Sequence, residues 1–291
     1  MAVKETAAPA PSSLSRLVLV VCAALWAAAV GAVVVTHPQG LPVSADANAP
    51  ALPLGQALLP PAVGMALVLL LPLRRTAQPA LVEEPRAFRR STWFLLGTAV
   101  LMIVLGPLGV DSTDFVLVKA LTFLILPAIV LRFLWQGGVR VSIARGAWRW
   151  WAPLVVVAVW TWLTQAAPWV EPADFSGTDV QFLIVAAVVT AVTAGVGEEL
   201  FYRRWLQTRL EAGLGPAAGI LATSILFALM HTGTHGIADL PMDLAVLVAV
   251  QGTMGLFLGL LWWRYRNIAA NIVLHLIVNG WPVVAYLLSL G

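Results

Sequence analysis

The sequence contains few charged residues. Of its 291 residues only 11% are Asp, Glu, Lys or Arg, whereas 60% are hydrophobic and the mean hydropathy is +0.89. A soluble globular chain carries about 25% charged and about 45–50% apolar residues. The scarcity of charge excludes a disordered protein and a protein that binds nucleic acid. A soluble core cannot hold this excess of apolar residues, so we expect the chain to be surrounded by the lipid bilayer.

Cysteine is almost absent as well. The single cysteine, Cys22, excludes an internal disulfide and a metal site built from thiolates. A secreted domain held together by disulfides is therefore excluded. Cys22 lies within an apolar run and is interpreted as a lipid-facing or core residue.

What the sequence has in abundance is long apolar runs. About 20 apolar residues cross the hydrocarbon layer of a membrane as a helix. Nine such runs predict an all-α, polytopic transmembrane bundle: residues 17–35, 56–73, 92–110, 115–134, 150–167, 180–202, 217–234, 244–263 and 268–288. The first run is longer than the apolar region of a cleavable signal peptide, so it is expected to remain as the first span.

The positions of the basic residues predict the orientation of the bundle. Apart from Lys119, every Lys and Arg falls before the first span or in alternate loops of the predicted topology. The intervening loops carry only acidic charges. By the positive-inside rule, we expect a cytoplasmic N-terminus, nine crossings and an external C-terminus. The expected location is the plasma membrane of a bacterium, as an integral membrane protein.

Ionisable and polar residues nevertheless occur inside the apolar runs of the last third. Glu198 and Glu199 lie in the sixth run, His231 lies in the seventh, and His275 and Asn279 lie well inside the ninth. A charged side chain at the centre of a bilayer costs about 2.5–3.5 kcal/mol on insertion scales, and such residues usually mark function. These residues are therefore the candidate site.

Helical spacing predicts that these residues meet. Two pairs are four positions apart and so share a helix face: Glu199 with Arg203, and His275 with Asn279. An ion pair with Arg203 would hold Glu199 ionised. A helical hairpin turning near residues 213–216 would place Glu198 and His231 at one level, because each is about 15 residues, or about 22 Å, from the turn. We expect polar groups from three helices to share one buried chamber.

The residue types suit hydrolysis of a peptide bond. Glu198 and His231 can together remove a proton from a water molecule, the usual arrangement of a general base. His275 and Asn279 can donate hydrogen bonds to the oxyanion of a tetrahedral intermediate. The expected partners are the lipid bilayer and a peptide or membrane-protein substrate.

Three motifs give the chain a resemblance to a known family. EExxxR at 198–203, FxxxH at 227–231 and HxxxN at 275–279 occur in this order. Together they resemble the motifs of the CAAX-protease and bacteriocin-processing (CPBP or Abi) intramembrane endopeptidases, which include CAAX prenyl protease 2. The resemblance covers about residues 180–285. It implies that Glu198 and His231 activate water, that Glu199 and Arg203 support them, and that His275 and Asn279 form the oxyanion site.

The resemblance also implies a division of the chain. Residues 1–16 are predicted to be a cytoplasmic tail, 17–167 a variable transmembrane region and 180–288 the catalytic core. Relatives in this family process CAAX termini, mature peptides or confer self-immunity to bacteriocins, and the sequence leaves the choice among these open. It leaves the oligomeric state open as well.

A metal site is the alternative to a metal-free glutamate mechanism. Glu198, His231 and His275 can make a three-ligand Zn²⁺ site with one open position. The HExxH motif is absent, and the second glutamate and Asn279 fit a mechanism without metal, so no cofactor is expected. His235 is a weaker candidate for an auxiliary ligand. The GxSG and GxGD motifs of other intramembrane proteases are absent too.

Two further classes of protein fit the same polar cluster. A channel or transporter can use it as a relay for protons or ions. A catalytically inactive immunity protein can bind a toxin without cleaving it. Loss of peptide cleavage in a Glu198→Ala or His231→Ala protein that stays folded separates the endopeptidase from both.

Overall fold

The computed structural model describes residues 12–41, 51–73, 77, 79–108, 112–134, 138–141, 143, 146–232 and 239–290. Nearly all of these residues are helical, and each of the nine apolar runs coincides with a helix. The predicted all-α bundle is thus confirmed. A short antiparallel pair of strands, β1 (Ala80–Val82) and β2 (Val139–Val141), joins two of the connecting segments.

Nine helices, numbered here in chain order, occupy the described residues. Helices α1, α2 and α3 are Ser13–Thr36, Leu54–Leu70 and Pro85–Leu105, and a 3-10 turn, Gly106–Leu108, follows α3. Helix α4 runs without a break through Ser112–Ala120, Leu121–Ile125, Leu126–Ile129 and Val130–Leu134, and α5 through Trp148–Thr161 and Trp162–Ala166. Helix α6 runs through Val180–Thr190, Ala191–Gln207 and Thr208–Leu214. Helices α7, α8 and α9 are Pro216–Leu229, Leu240–Tyr265 and Ile268–Ser289.

The predicted number of nine crossings is not confirmed. Among the described residues, six helices are long and apolar enough to cross a membrane: Ser13–Thr36, Pro85–Leu108, Asp114–Phe133, Val180–Leu214, Leu240–Tyr265 and Ile268–Ser289. Helices α2 and α7 are apolar but have only 17 and 14 residues. Fourteen residues rise about 21 Å, which is less than the roughly 30 Å of hydrocarbon in a bilayer.

Helix α6 is longer than the sequence predicts. The run was expected to end at residue 202, where basic residues begin, but the helix continues to Leu214. It ends because Gly215 adopts a positive φ of 84° and Pro216 starts the next helix, so the hairpin turns at the predicted place. Three of the charged residues beyond position 202 lie inside the protein rather than in a loop: Arg203, Arg209 and Glu211 are buried, whereas Arg204 is exposed.

Glycines bring α7 and α8 into close contact. A Cβ atom on Gly255 would lie 3.1 Å from the Cα of Ser224, and one on Gly259 would lie 3.0 Å from Cγ2 of Ile220. Small residues of this kind allow membrane helices to approach each other closely. An aromatic core of Phe123, Phe201, Tyr202 and Phe227 joins α7 to α4 and α6.

Buried charges anchor the turn between α8 and α9. Arg266 ends α8 in the left-handed conformation, with φ of 50°, and its Nη2 lies 2.5 Å from Oε2 of Glu211 on α6. Arg149 at the start of α5 donates to the backbone carbonyls of Tyr265 and Arg266, at 2.8 and 2.7 Å. These contacts fix the beginning of α9 against α6, the two helices that carry the carboxylates and His275.

Candidate active site

The carboxylates of the candidate site lie on a widened stretch of α6. Residues Ala191–Gln207 form a π-helix, in which backbone hydrogen bonds join residues five positions apart. Departures from α-helical geometry of this type are frequent at functional sites. Glu198, Glu199 and Arg203 are 1%, 0% and 0% exposed. Buried charges require charged or hydrogen-bonding partners, so their contacts define the site.

A glycine lets α9 approach this stretch. A Cβ atom on Gly195 would lie 2.5 Å from Cδ2 of Leu276, closer than carbon atoms pack. The missing side chain therefore allows α9 to lie directly against α6 at this level. The neighbour of Leu276 in the sequence is His275, which reaches both glutamates.

Glu199 is held from two helices. His275 contributes Nδ1 at 2.8 Å from Oε1, and Asn271 donates from Nδ2 to Oε2 at 3.2 Å. The same amide donates to the carbonyl of Leu258 at 2.8 Å. On its own helix, Glu199 is paired with Arg203, whose Nε is 3.4 Å from Oε2. The predicted pair of Glu199 and Arg203 is therefore present.

Glu198 contacts two cationic or potentially cationic groups. The ammonium of Lys119 on α4 forms an ion pair with Oε1, and Nε2 of His275 is 3.9 Å from Oε2. Apart from the ion pair, neither carboxylate oxygen has a hydrogen-bond partner among the described residues. Oε2 of Glu198 thus remains available to accept a proton or a hydrogen bond.

The ring of Phe227 lies among the other predicted site residues. Its centroid is 5.1 Å from the ring of His231, 6.3 Å from that of His275 and 4.7 Å from the guanidinium carbon of Arg203. Nδ1 of His231 is 2.9 Å from the carbonyl oxygen of Phe227. Because a carbonyl only accepts, Nδ1 carries the hydrogen, and Nε2 of the neutral ring is the acceptor. Both histidines lie close enough to interact with the charge of Glu198.

Residues 180–281 match the family model of the Rce1-like type II CAAX prenyl endopeptidases. This Rce1-like segment contains the three motifs and all six predicted site residues, and the match confirms the resemblance found in the sequence. It supports a function of the CAAX intramembrane protease kind. No curated protein and no solved structure matches the chain.

Two of the predicted positions in the Rce1-like segment are not joined to the rest. Asn279 is half-buried, one turn beyond His275 on α9, and its side chain makes no hydrogen bond to a described residue. His235 lies outside the described residues. Five of the six predicted site residues therefore lie together near Phe227: the two glutamates, Arg203, His231 and His275. Asn279 lies on the same helix as His275 but makes no hydrogen bond to a described residue.

Lys119 is a site residue that the sequence predicts only indirectly. It lies on α4, well before the Rce1-like segment, and is 15% exposed. The sequence marks Lys119 only because it is the one basic residue that falls inside a predicted span and away from the basic loops and the N-terminal tail. A cation inside an apolar run needs a buried anion as its partner, and Glu198 is that anion.

Asn271 and Tyr202 are the other residues that the prediction missed. Asn271 is fully buried and precedes His275 by four positions, so both project from one face of α9 toward Glu199. That spacing is the signal that would have identified it. Tyr202 is fully buried within the aromatic core, and an aromatic residue in an apolar run gives no signal of its own.

The donor atoms present do not match the zinc site considered as an alternative. Within the described part of the chain, no three His, Cys, Asp or Glu side chains are arranged to hold a metal ion. Nδ1 of His275 is engaged by Glu199, and the ammonium of Lys119 lies on Glu198. A cation at Glu198 would repel a divalent metal ion at the same carboxylate.

Proposed function

We propose that this chain is an intramembrane endopeptidase in which Glu198 activates the water that attacks a peptide carbonyl. The observation that carries the proposal is the buried contact of both glutamates with His275, which joins α6 to α9 away from bulk water. The Rce1-like match over the same residues supports it, because that family is one of endopeptidases. The catalytic type we favour is a glutamate mechanism without a metal ion.

In the proposed first step, a water molecule lies against Oε2 of Glu198. The carboxylate accepts a proton from this water as the water oxygen bonds to the carbonyl carbon, and the carbonyl electron pair moves onto its oxygen. His231 directs the water through Nε2, because its Nδ1 is committed to the carbonyl of Phe227. General acid–base catalysis of this type contributes about 10²–10⁴-fold to the rate.

The developing oxyanion is stabilised from α9. Glu199 fixes the ring of His275 through Nδ1, so that Nε2 points toward the space beside Glu198. Because Nδ1 already donates to Glu199, Nε2 donates to the oxyanion from the imidazolium form of His275, and Asn279 on the next turn supplies an amide donor on the same face. Arg203 and Asn271 keep Glu199 in place for this purpose.

The tetrahedral intermediate then breaks down with a balanced transfer of the same proton. The bond between carbon and nitrogen breaks, and the leaving nitrogen takes the proton from Glu198. The carboxylate is regenerated, and one water has been added across one peptide bond. No step in this sequence requires a group that the chain does not itself provide.

Lys119 gives the first testable expectation. A Lys119→Met protein leaves the buried carboxylate of Glu198 without its cation, so we expect cleavage to fall by about 10–100-fold and stability by about 1–3 kcal/mol. Lys119→Arg keeps the positive charge and should retain most of both. The measurements are peptide cleavage in liposomes and thermal unfolding in detergent. Equal activity of the Met and wild-type proteins would contradict the proposed contact.

The proposed function is tested by cleavage with purified protein. Wild type and Glu198→Gln are reconstituted in liposomes and offered a peptide library that includes CAAX-type termini, with and without a chelator. We expect cleavage by wild type only, unchanged by the chelator. Membrane proteomes of cells that carry either form then identify natural substrates as peptides that stay uncleaved with Glu198→Gln.

The competing functions give different results in the same preparations. Ion flux without cleavage by the wild-type protein would favour a transporter. Immunity to a bacteriocin that survives Glu198→Gln would favour a binding protein. Activity that the chelator abolishes and Zn²⁺ restores would replace the metal-free mechanism with a metal-dependent one.

A further inference from the structure

The hydroxyl of Tyr202 is a buried donor without an acceptor. The side chain is 0% exposed, and its oxygen has no hydrogen-bond partner among the described residues. An unsatisfied buried polar group lowers stability by about 1–3 kcal/mol. Because native proteins satisfy nearly all such groups, the few exceptions require an explanation, and catalysis is one of them.

The surroundings hold this hydroxyl in the part of the site that contains Glu198 and Phe227. Tyr202 follows Glu198 by about one turn of the π-helix, and its hydroxyl is close enough to interact with the charges of Glu198 and Arg203. Its ring packs edge-on against Phe123 and Phe227, with centroids 5.4 Å away in both cases. The ring is therefore fixed by packing, and the hydroxyl is fixed with it.

The other two tyrosines of the chain differ in this respect. The hydroxyl of Tyr265 donates to the carbonyl of Leu71 at 2.8 Å. Tyr286 is half-buried near the end of α9, where its ring contacts Phe175. Among the three, Tyr202 alone combines complete burial with a hydroxyl that lacks an acceptor in the described part of the chain.

The proposed mechanism lacks one donor that this hydroxyl can supply. His275 is drawn toward Glu199 through Nδ1, and Asn279 makes no hydrogen bond that would orient its amide. An oxyanion is stabilised by donors that are already aligned before the reaction begins. A phenol hydroxyl held by packing in a buried site meets that requirement.

We propose that Tyr202 donates a hydrogen bond to the carbonyl oxygen of the scissile peptide as that oxygen becomes an oxyanion. This inference rests on the proposed endopeptidase function and adds a catalytic residue to it. The phenol proton stays on Tyr202 throughout, so the proton transfers at Glu198 are unchanged. The bond is made only when negative charge develops, and it therefore acts on kcat and not on substrate binding.

The test is the Tyr202→Phe protein, with Tyr265→Phe and Tyr286→Phe as matched controls. We expect kcat to fall by about 10²–10³-fold for Tyr202→Phe, the usual loss of one oxyanion donor, with KM within about twofold of wild type. We expect its thermal unfolding midpoint to stay equal or rise, because an unsatisfied hydroxyl is removed while the packed ring remains. The controls should keep wild-type kcat.

Each other outcome overturns the inference in an identifiable way. A kcat within about threefold of wild type, whether or not KM rises, shows that the hydroxyl does not donate to the oxyanion. A lower unfolding midpoint shows that the hydroxyl has a structural partner instead. If wild type itself cleaves no peptide, the proposed function has failed, and the role of Tyr202 fails with it.

Discussion

Replacement of Glu198 by glutamine is expected to lower kcat by about 10²–10⁴-fold, the range that general acid–base catalysis contributes. Glutamine keeps the size of the side chain and one oxygen but cannot accept the proton of the attacking water. Because the side chain is 1% exposed, bulk water cannot replace it as the base. Peptide cleavage by the two proteins at equal lipid composition measures the effect.

The matched control for this replacement is Glu171→Gln, which makes the same chemical change on an exposed loop between α5 and α6. It should leave kcat within about twofold of wild type, because surface charges far from a site have little effect. A Glu198→Gln protein that is folded and cleaves peptide as fast as this control would exclude Glu198 as the base. A rise in KM with unchanged kcat would assign Glu198 to substrate binding instead.

Removal of Glu199 is expected to have the largest effect on stability. Glu199→Ala leaves the guanidinium of Arg203 fully buried without its carboxylate, and breaking a buried ion pair in this way lowers the free energy of unfolding by about 3–5 kcal/mol. The hydrogen bonds from His275 and Asn271 are lost in addition. Unfolding by denaturant in mixed micelles measures the change.

A double-mutant cycle separates charge from packing. Glu199→Leu and Arg203→Met each leave one buried charge, whereas the double variant leaves neither and replaces the pair with apolar side chains. We expect the double variant to be more stable than either single variant, because an apolar pair of similar volume often matches a buried ion pair. It should remain inactive, because His275 has lost its anchor. Additive losses of stability would show that the two residues do not interact.

The sequence predicted contacts correctly for residues whose charge is costly to bury in an apolar run. Glu198 and His275 stand out because each interrupts an apolar run, and repetition every four positions assigns Arg203 to the same face as Glu199. The structure places these side chains in contact. Helix periodicity shows which residues share a face of one helix. The three motifs, taken together, predicted that the helices that carry them are neighbours.

Helix periodicity could not predict contacts between helices that are far apart in the sequence. The spacing of residues on α4 does not specify that it packs against α6, so the pairing of Lys119 with Glu198 could not be derived. Asn271 was overlooked because an amide at the beginning of a helix is commonly a local capping group, as Asn267 is here through its bond to the backbone N–H of Ala270. The four-residue spacing to His275 distinguishes Asn271 in the sequence, but its hydrogen bond to Glu199 depends on tertiary packing.

The boundaries of the helices show a related limit. Basic residues after position 202 predicted the membrane surface, but Arg203 and Arg209 are buried and paired or hydrogen-bonded within the protein. A charge that finds a partner inside the bundle does not mark the end of a span. The nine predicted crossings are not confirmed, because short apolar helices such as α7 can be covered by neighbouring helices instead of crossing the bilayer.

The ion pair between Lys119 on α4 and Glu198 on α6 has a consequence for chimaeric proteins in which one half of the chain is exchanged. A fragment limited to residues 180–281 would retain every motif and yet lack Lys119, the counter-ion of the proposed base Glu198. Chimaeras that exchange the front half between homologous proteases should work only when the incoming half supplies a cation at the matching depth. A change in that half would then adjust the strength of the proposed catalytic carboxylate without any change in the motifs.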